Sequence, residues 1–248
     1  MLRTASLFSA LALATAALAA PAAACTGCGC SAVENTAGVA AQKSEVVAHA
    51  HGEGHTHAHQ HSHGDSHGKA AGVAPGQAAP AFELMDQNGD PVTLDDFAGR
   101  IVVLEFFNDQ CPFVKKFYRN GDMNRMVEDV TADGDVAWLA IDSSGFSNVQ
   151  QNQEIAEAWN MGDRSLLDDA RGEVGRMYGA KTTPHMFVID ADGDVAYMGA
   201  IDDRPSTDSG DIADANNYVV QAVEALKSGT AVSTPQTQPY GCSVKYAN

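Results

Sequence analysis

The amino-acid sequence predicts an α/β fold in which a central mixed β-sheet is flanked by helices. Two runs carry most of that expectation. IVVLEFF (Ile101–Phe107) and DVAWLAID (Asp135–Asp142) are nearly continuous in apolar residues, as central parallel strands covered on both faces require. A third feature mixes the strand directions: HMFVID and DVAYMGA are separated by Asp192-Gly193, a turn that joins them as an antiparallel pair.

The elements follow in order. FELMDQNGDPVTLDDF turns at Asn88-Gly89 between two short apolar stretches and reads as a hairpin before the main sheet. After the first central strand, Pro112 suits a first helical turn, where its missing N–H costs nothing. Phe113, Phe117, Met123, Met126, Val127 and Val130 then supply apolar helical positions, with Gly121 placed to divide the helix. Further helices are expected near Asn152–Trp159 and Glu173–Tyr178, and a last one over Ile212–Lys227, with Asp211 as its cap and Gly229 beyond its end. No G-x-G-x-x-G follows the central strand and no GxxxxGK[ST] occurs, so nucleotide cofactors have little support.

Composition divides the chain into four spans. Residues 1–24 read as a signal peptide: Arg3 in a short n-region, an apolar stretch from Leu7 to Leu18, and Ala-rich cleavage positions. The stretch is short for a membrane span, which predicts export to the periplasm or another extracytoplasmic part of the envelope. Cys25 directly after Ala22–Ala24 also invites acylation, which would make the chain a tethered lipoprotein. Residues 25–76 are rich in Ala, Gly, Ser and His with few large apolar groups, and are expected to stay disordered. Residues 77–229 have the size of one domain with one core, and residues 230–248 form a C-terminal tail. The formal charge of −17, from 15 Lys and Arg against 32 Asp and Glu, favours solubility and argues against nucleic acid as a partner.

The 25–76 span carries a ligand-rich pattern. His49, His51, His55, His57, His59, His61, His63 and His67 are eight of the nine histidines, and Cys28 and Cys30 add soft ligands. Closely spaced imidazoles and thiols suit zinc, copper or nickel without specifying one geometry. A solvated, pH-responsive linker is the other reading of the same residues.

Thiol chemistry is the leading reading of the domain. Cys111 lies at the end of a strand-like run, in LEFFNDQCPFVKKFY, and Thr182-Thr183-Pro184 forms a turn further along. Val114 occupies the place where a CxxC would have its second cysteine, so a resolving thiol must come from elsewhere.

The order GDPVTLDDFAGRIVVLEFF, QCPFVKKF, GAKTTPHMFVIDADGDVAYMGAIDD resembles the thioredoxin-fold redoxins, the branch holding AhpC/TSA-like peroxiredoxins and exported thiol-disulfide oxidoreductases. The ending PYGCSVKY is similar to a subgroup with a CPxVK active loop and a C-terminal GCSxK motif. The resemblance spans residues 77–246. It implies a thioredoxin-like fold and a thiolate at Cys111, favoured by the helix start that follows. It also implies a buried proton-exchanging carboxylate at Glu105, and a cis Pro184 that turns Thr183 toward the thiol. His185 could tune the thiolate or sit at the surface, and Lys115 and Lys116 are expected to solvate the helix.

Cys242 is the expected resolving cysteine, since the tail after Gly229 can reach back over a small domain. A Cys111–Cys242 bridge is either catalytic or a permanent staple. The implied substrate is a protein or small-molecule disulfide, with an unidentified electron donor and no cofactor required for the thiol chemistry. Peroxide reduction is the enzymatic alternative, weakened because Asn108 stands where peroxiredoxins carry Thr or Ser. The other is a non-enzymatic envelope protein that binds transition metals.

Overall fold

A computed structural model describes residues 72–248. The central sheet begins with β3 (Ile101–Phe107), buried along its whole length, and β4 (Val136–Asp142), which runs parallel to it. β5 (Ser165–Asp168) extends the parallel side beyond β4. On the other side of β3, β7 (His185–Ile189) and β8 (Val195–Gly199) add as an antiparallel pair. The hairpin of β1 (Glu83–Met85) and β2 (Pro91–Thr93) closes the β5 edge, giving the order β2-β1-β5-β4-β3-β7-β8. A separate two-stranded ladder joins β6 (Thr182–Thr183) to β9 (Cys242–Ser243).

Side-chain alternation along β3 splits the core in two. Ile101, Val103 and Phe107 face a layer made by α1 (Pro112–Tyr118), α2 (Asp122–Thr131), α3 (Val149–Ala158) and α5 (Tyr218–Lys227). Val102, Leu104 and Phe106 face Phe82, Phe187 and α4 (Glu173–Tyr178), where Tyr178 packs edge-on against Phe187.

Gly121, at φ 71°, caps the start of α2 just after α1 ends at Tyr118, so the expected division is complete. Two elements depart from the sequence expectation. The last helix begins at Tyr218 with Asn217 as its cap, its side chain accepting from the Val220 N–H; the expected Asp211 lies inside a separate 3-10 turn over Ser209–Asp214. β5 was not anticipated, because four residues with two central leucines give too short a pattern to distinguish a strand from a loop.

The lysines of α1 also differ from expectation. Lys116 is fully buried: its Nζ donates to the Arg204 carbonyl at 2.8 Å and lies 3.5 Å from Asp202 Oδ2. The other Asp202 oxygen accepts from the Tyr240 hydroxyl and from the Arg204 N–H at 2.9 Å. Tyr240 in turn meets Phe113 of α1 edge-on. A buried cation is costly unless it is paired, and this network ties α1, the segment after β8 and the C-terminal residues into one unit, with Asp202 Oδ2 facing Lys116 as an ion pair and no hydrogen bond.

Removing one partner of the pair leaves the other charge buried and uncompensated. Lys116→Met should lower the unfolding free energy by about 3–5 kcal/mol, read as a drop in the urea midpoint.

Candidate functional site

Cys111 occupies the N-cap position of α1 and is 2% exposed. Asn108 builds the turn that puts it there. The Asn108 side chain accepts from the Gln110 N–H at 2.8 Å and donates to Ser144 Oγ at 2.6 Å, and the Asn108 carbonyl accepts from the Cys111 N–H.

Across from the sulfur lies β6. The Cys111 thiol donates to the Thr183 carbonyl at 2.9 Å, and the Thr183–Pro184 peptide is cis. β9 pairs with β6 in antiparallel register, Thr183 opposite Cys242. The structure thus brings Cys111, Thr183, Pro184 and Cys242 together, with both cysteines as free thiols. The close approach depends on Gly241, whose φ of 133° suits glycine and whose absent side chain leaves room for the Thr183 carbonyl oxygen.

The two thiols are held on opposite sides of their ordinary acidity. Burial raises the Cys111 thiol, but the polar groups around the sulfur, Thr183 first and then Cys242 and the Val114 N–H, outweigh it, so the balance lies below the usual cysteine value. The Thr183 hydroxyl is buried and has no hydrogen-bond partner among the described residues. Cys242 moves the other way: burial raises it, and so do its hydrogen bond to Cys111 and the charge of the Cys111 thiolate, against a smaller pull from Lys245. Cys111 is therefore the better nucleophile of the pair, and Cys242 holds the proton.

Glu105 lies at the centre of β3, opposite Ala140 and Met186, with no exposed surface. Its Oε2 accepts from the Tyr118 hydroxyl at 2.9 Å and from Trp138 Nε1 at 3.2 Å. Loss of hydration pushes the carboxyl above its ordinary range, while Arg164, Tyr118 and Trp138 pull it down by less. Its hydrogen bonds run to the far end of α1, at Tyr118, and not to Cys111.

His185 is buried on the opposite face of the sheet from Glu105, its ring tilted against Phe187 with centroids 4.7 Å apart. Its Nδ1 accepts from the Lys181 N–H at 3.3 Å. Burial, assisted by Lys181, lowers its pKa to about 3, so it is neutral at physiological pH and is not the surface residue considered from sequence.

Sequence reasoning missed three participants. Tyr240 and Asp202 anchor the chain before Cys242; their only signal was an aromatic and an acid near glycine-bearing turns. Asp142, at the end of β4, is buried and has its pKa raised to about 6, by desolvation first and by Asp109 and Asp168 in addition, while bonds from Ser144 oppose the shift. Its signal was an acid closing an apolar strand. Cys28, Cys30, His49, His51, His55, His57, His59, His61, His63 and His67 lie outside the described residues. Among the described residues, no group of three or more His, Cys, Asp or Glu could hold a metal ion, and no helix is long and apolar enough to cross a membrane.

A mixed sheet with a cysteine capping the helix after its central strand, facing a cis-proline turn, defines a thioredoxin-like thiol protein. The AhpC/TSA family matches residues 75–198, half of the 248-residue chain, and the protein belongs to that redoxin family. Two solved structures share the fold. The hypothetical protein SMc02350 from Sinorhizobium meliloti 1021 is 27% identical with a TM-score of 0.60, the match covering 71% of this chain and 97% of that one. An uncharacterized conserved protein from Geobacillus kaustophilus is 28% identical with a TM-score of 0.59, covering 70% and 92%. No curated protein matches the chain significantly.

Two measurements follow from the electrostatics. Alkylation of Cys111 as a function of pH should titrate below the ordinary cysteine value, and Cys242→Ala should move that titration upward by removing a thiol donor. For Glu105, the unfolded chain ionises near its ordinary 4.5 while the folded chain keeps the proton. Its stabilisation is present below that value and is lost as pH rises through the higher folded one. Glu105→Gln has no such loss, so urea unfolding from about pH 4 to about pH 8 should show the variant gaining on the wild type as pH rises.

Proposed function

We propose that the protein is an exported thiol-disulfide oxidoreductase in which Cys111 attacks and Cys242 resolves. The observation that carries this reading is the placement of the two thiols at one ladder: Cys111 donates to the Thr183 carbonyl, and Cys242 pairs opposite Thr183 across β6–β9. Such a pair separates the nucleophile from the proton-holding partner before substrate arrives.

The Cys111 thiolate attacks one sulfur of a substrate disulfide R–S–S–R′, forming Cys111–S–S–R and releasing R′S⁻. Cys242 then loses its proton and attacks Cys111 Sγ, closing a Cys111–Cys242 disulfide and releasing RS⁻. The substrate gains two electrons and the protein loses two. A donor dithiol reverses the protein disulfide by the same exchange. In this reading the bridge is catalytic, and Thr183 with Pro184 shapes the turn that faces the sulfur. Glu105, its carboxyl raised by burial, lies on the sheet face that α1 covers.

Peroxide reduction has less support. The Asn108 side chain is spent on Gln110 and Ser144, and the groups that lower Cys111 are uncharged hydrogen-bond donors, with no arginine among them. Export rests on the 1–24 leader pattern. The Cys/His-rich pattern of residues 25–76 supports a separate capacity for zinc, copper or nickel, carried independently of the thiol site.

The test is turnover with a disulfide substrate and a dithiol donor. Cys111→Ser should abolish exchange, by at least about a thousandfold given loss of the attacking thiolate. Cys242→Ser should accumulate the Cys111 mixed disulfide, visible by intact mass. Full turnover by Cys111→Ser would overturn the assignment and leave metal handling as the function.

A further inference from the structure

We infer that the C-terminal residues 235–247 fill the substrate-docking edge beside Cys111, so that the folded protein exchanges with low-molecular-weight disulfides and excludes protein disulfides. The inference rests on the exchange reading above and names its substrate class.

The backbone edge nearest the attacking sulfur belongs to Thr182 and Thr183. An extended polypeptide docks most readily by adding a strand to such an edge. Here β9 of the same chain has already added it, with Cys242 opposite Thr183. Cys242 therefore stands where the cysteine of a strand-added substrate would stand, and Cys111 is left 2% exposed.

The segment is seated along its length. Before β9, the Met198 N–H donates to the Pro235 carbonyl at 3.0 Å and the Thr237 N–H to the Met198 carbonyl at 3.1 Å. Tyr240 closes on buried Asp202. After β9, the Val244 N–H donates to the Lys181 carbonyl at 3.2 Å, the Gly145 N–H to the Lys245 carbonyl at 2.7 Å, and the Tyr246 hydroxyl to the Ala180 carbonyl at 2.8 Å. Contacts on both sides of the cysteine make this a built strand, and displacing it exposes several backbone groups at once.

Competition then sets specificity. A tethered strand has an effective concentration on the order of millimolar, whereas a protein substrate arrives at micromolar levels. A small disulfide needs contact with the sulfur alone and not with the edge, so it requires a smaller displacement of the strand than a protein substrate does.

The experiment uses the full exported chain as wild type, Gly241→Ala and Tyr240→Phe. Gly241→Ala places a methyl group against the Thr183 carbonyl at a backbone conformation disfavoured for alanine. Tyr240→Phe removes the bond to Asp202 and keeps the ring. Both retain Cys111 and Cys242.

Cys111 modification is followed by peptide mass mapping with N-ethylmaleimide and with a long polyethylene-glycol maleimide, and turnover is measured with oxidised glutathione and with insulin. In the wild type, the large reagent should be slower than the small one by at least about tenfold, and glutathione disulfide should be reduced in preference to insulin by a similar factor. Both variants should lose the reagent discrimination and gain insulin reduction. Equal labelling by the two reagents in the wild type, or insulin reduction unchanged in both variants, would overturn the inference. Reagent discrimination with no turnover of either disulfide in any of the three proteins would overturn the exchange reading itself, and the substrate preference with it.

Discussion

The buried Lys116–Asp202 pair is the constraint on which the site depends. Both side chains are removed from water, and hydrogen bonds to the remaining donors and acceptors help their mutual attraction offset that loss. The Arg204 backbone fills two of them, and Tyr240 fills a third. Because Tyr240 comes from the C-terminal segment, satisfying a charge in the body of the fold requires that segment to lie against α1. Two residues later the chain reaches Cys242, opposite Thr183. The position of the second thiol is thus a by-product of where a buried lysine needs its partners.

Around Cys111 the acidity is set by hydrogen bonding and not by nearby cations. That suits a chain of formal charge −17, in which positive potential is scarce. Hydrogen-bond donors act over one contact and are unaffected by a negative surface at longer range, whereas a thiolate stabilised by a distant cation would be weakened by it. The same donors are short-range enough to distinguish the two sulfurs, lowering one while the proton on the other is retained.

The sheet separates the ionisable groups that flank the site in sequence. Glu105 and His185 lie on adjacent strands, yet β3 and β7 turn them to opposite faces. Glu105 joins Tyr118 and Trp138 under the α1 layer, and His185 joins Phe187 in the other core. Burial disfavours the charged form of each, and His185 is held neutral at physiological pH.

Much of this was legible in the sequence because it depends on local periodicity. Ile101–Phe107 and Val136–Asp142 announce buried strands, Asp192-Gly193 announces a hairpin, and a cysteine after a strand and before Pro112 announces the start of a helix. The ordered motifs of residues 77–246 pointed to the redoxin family to which the chain belongs. β5 escaped because four residues hold too little period, and Asp211 misplaced the last cap because Asn217, six residues on, is also a good cap and only packing chooses where the helix starts. Lys116 looked like a solvent-facing lysine since its partners lie 86 and 88 residues away, at Asp202 and Arg204. The approach of Cys242 to Cys111 was decided in tertiary structure alone. A sequence records which thiols exist, but their separation is set by long-range strand pairing and by a buried charge that must be satisfied, neither of which leaves a local pattern.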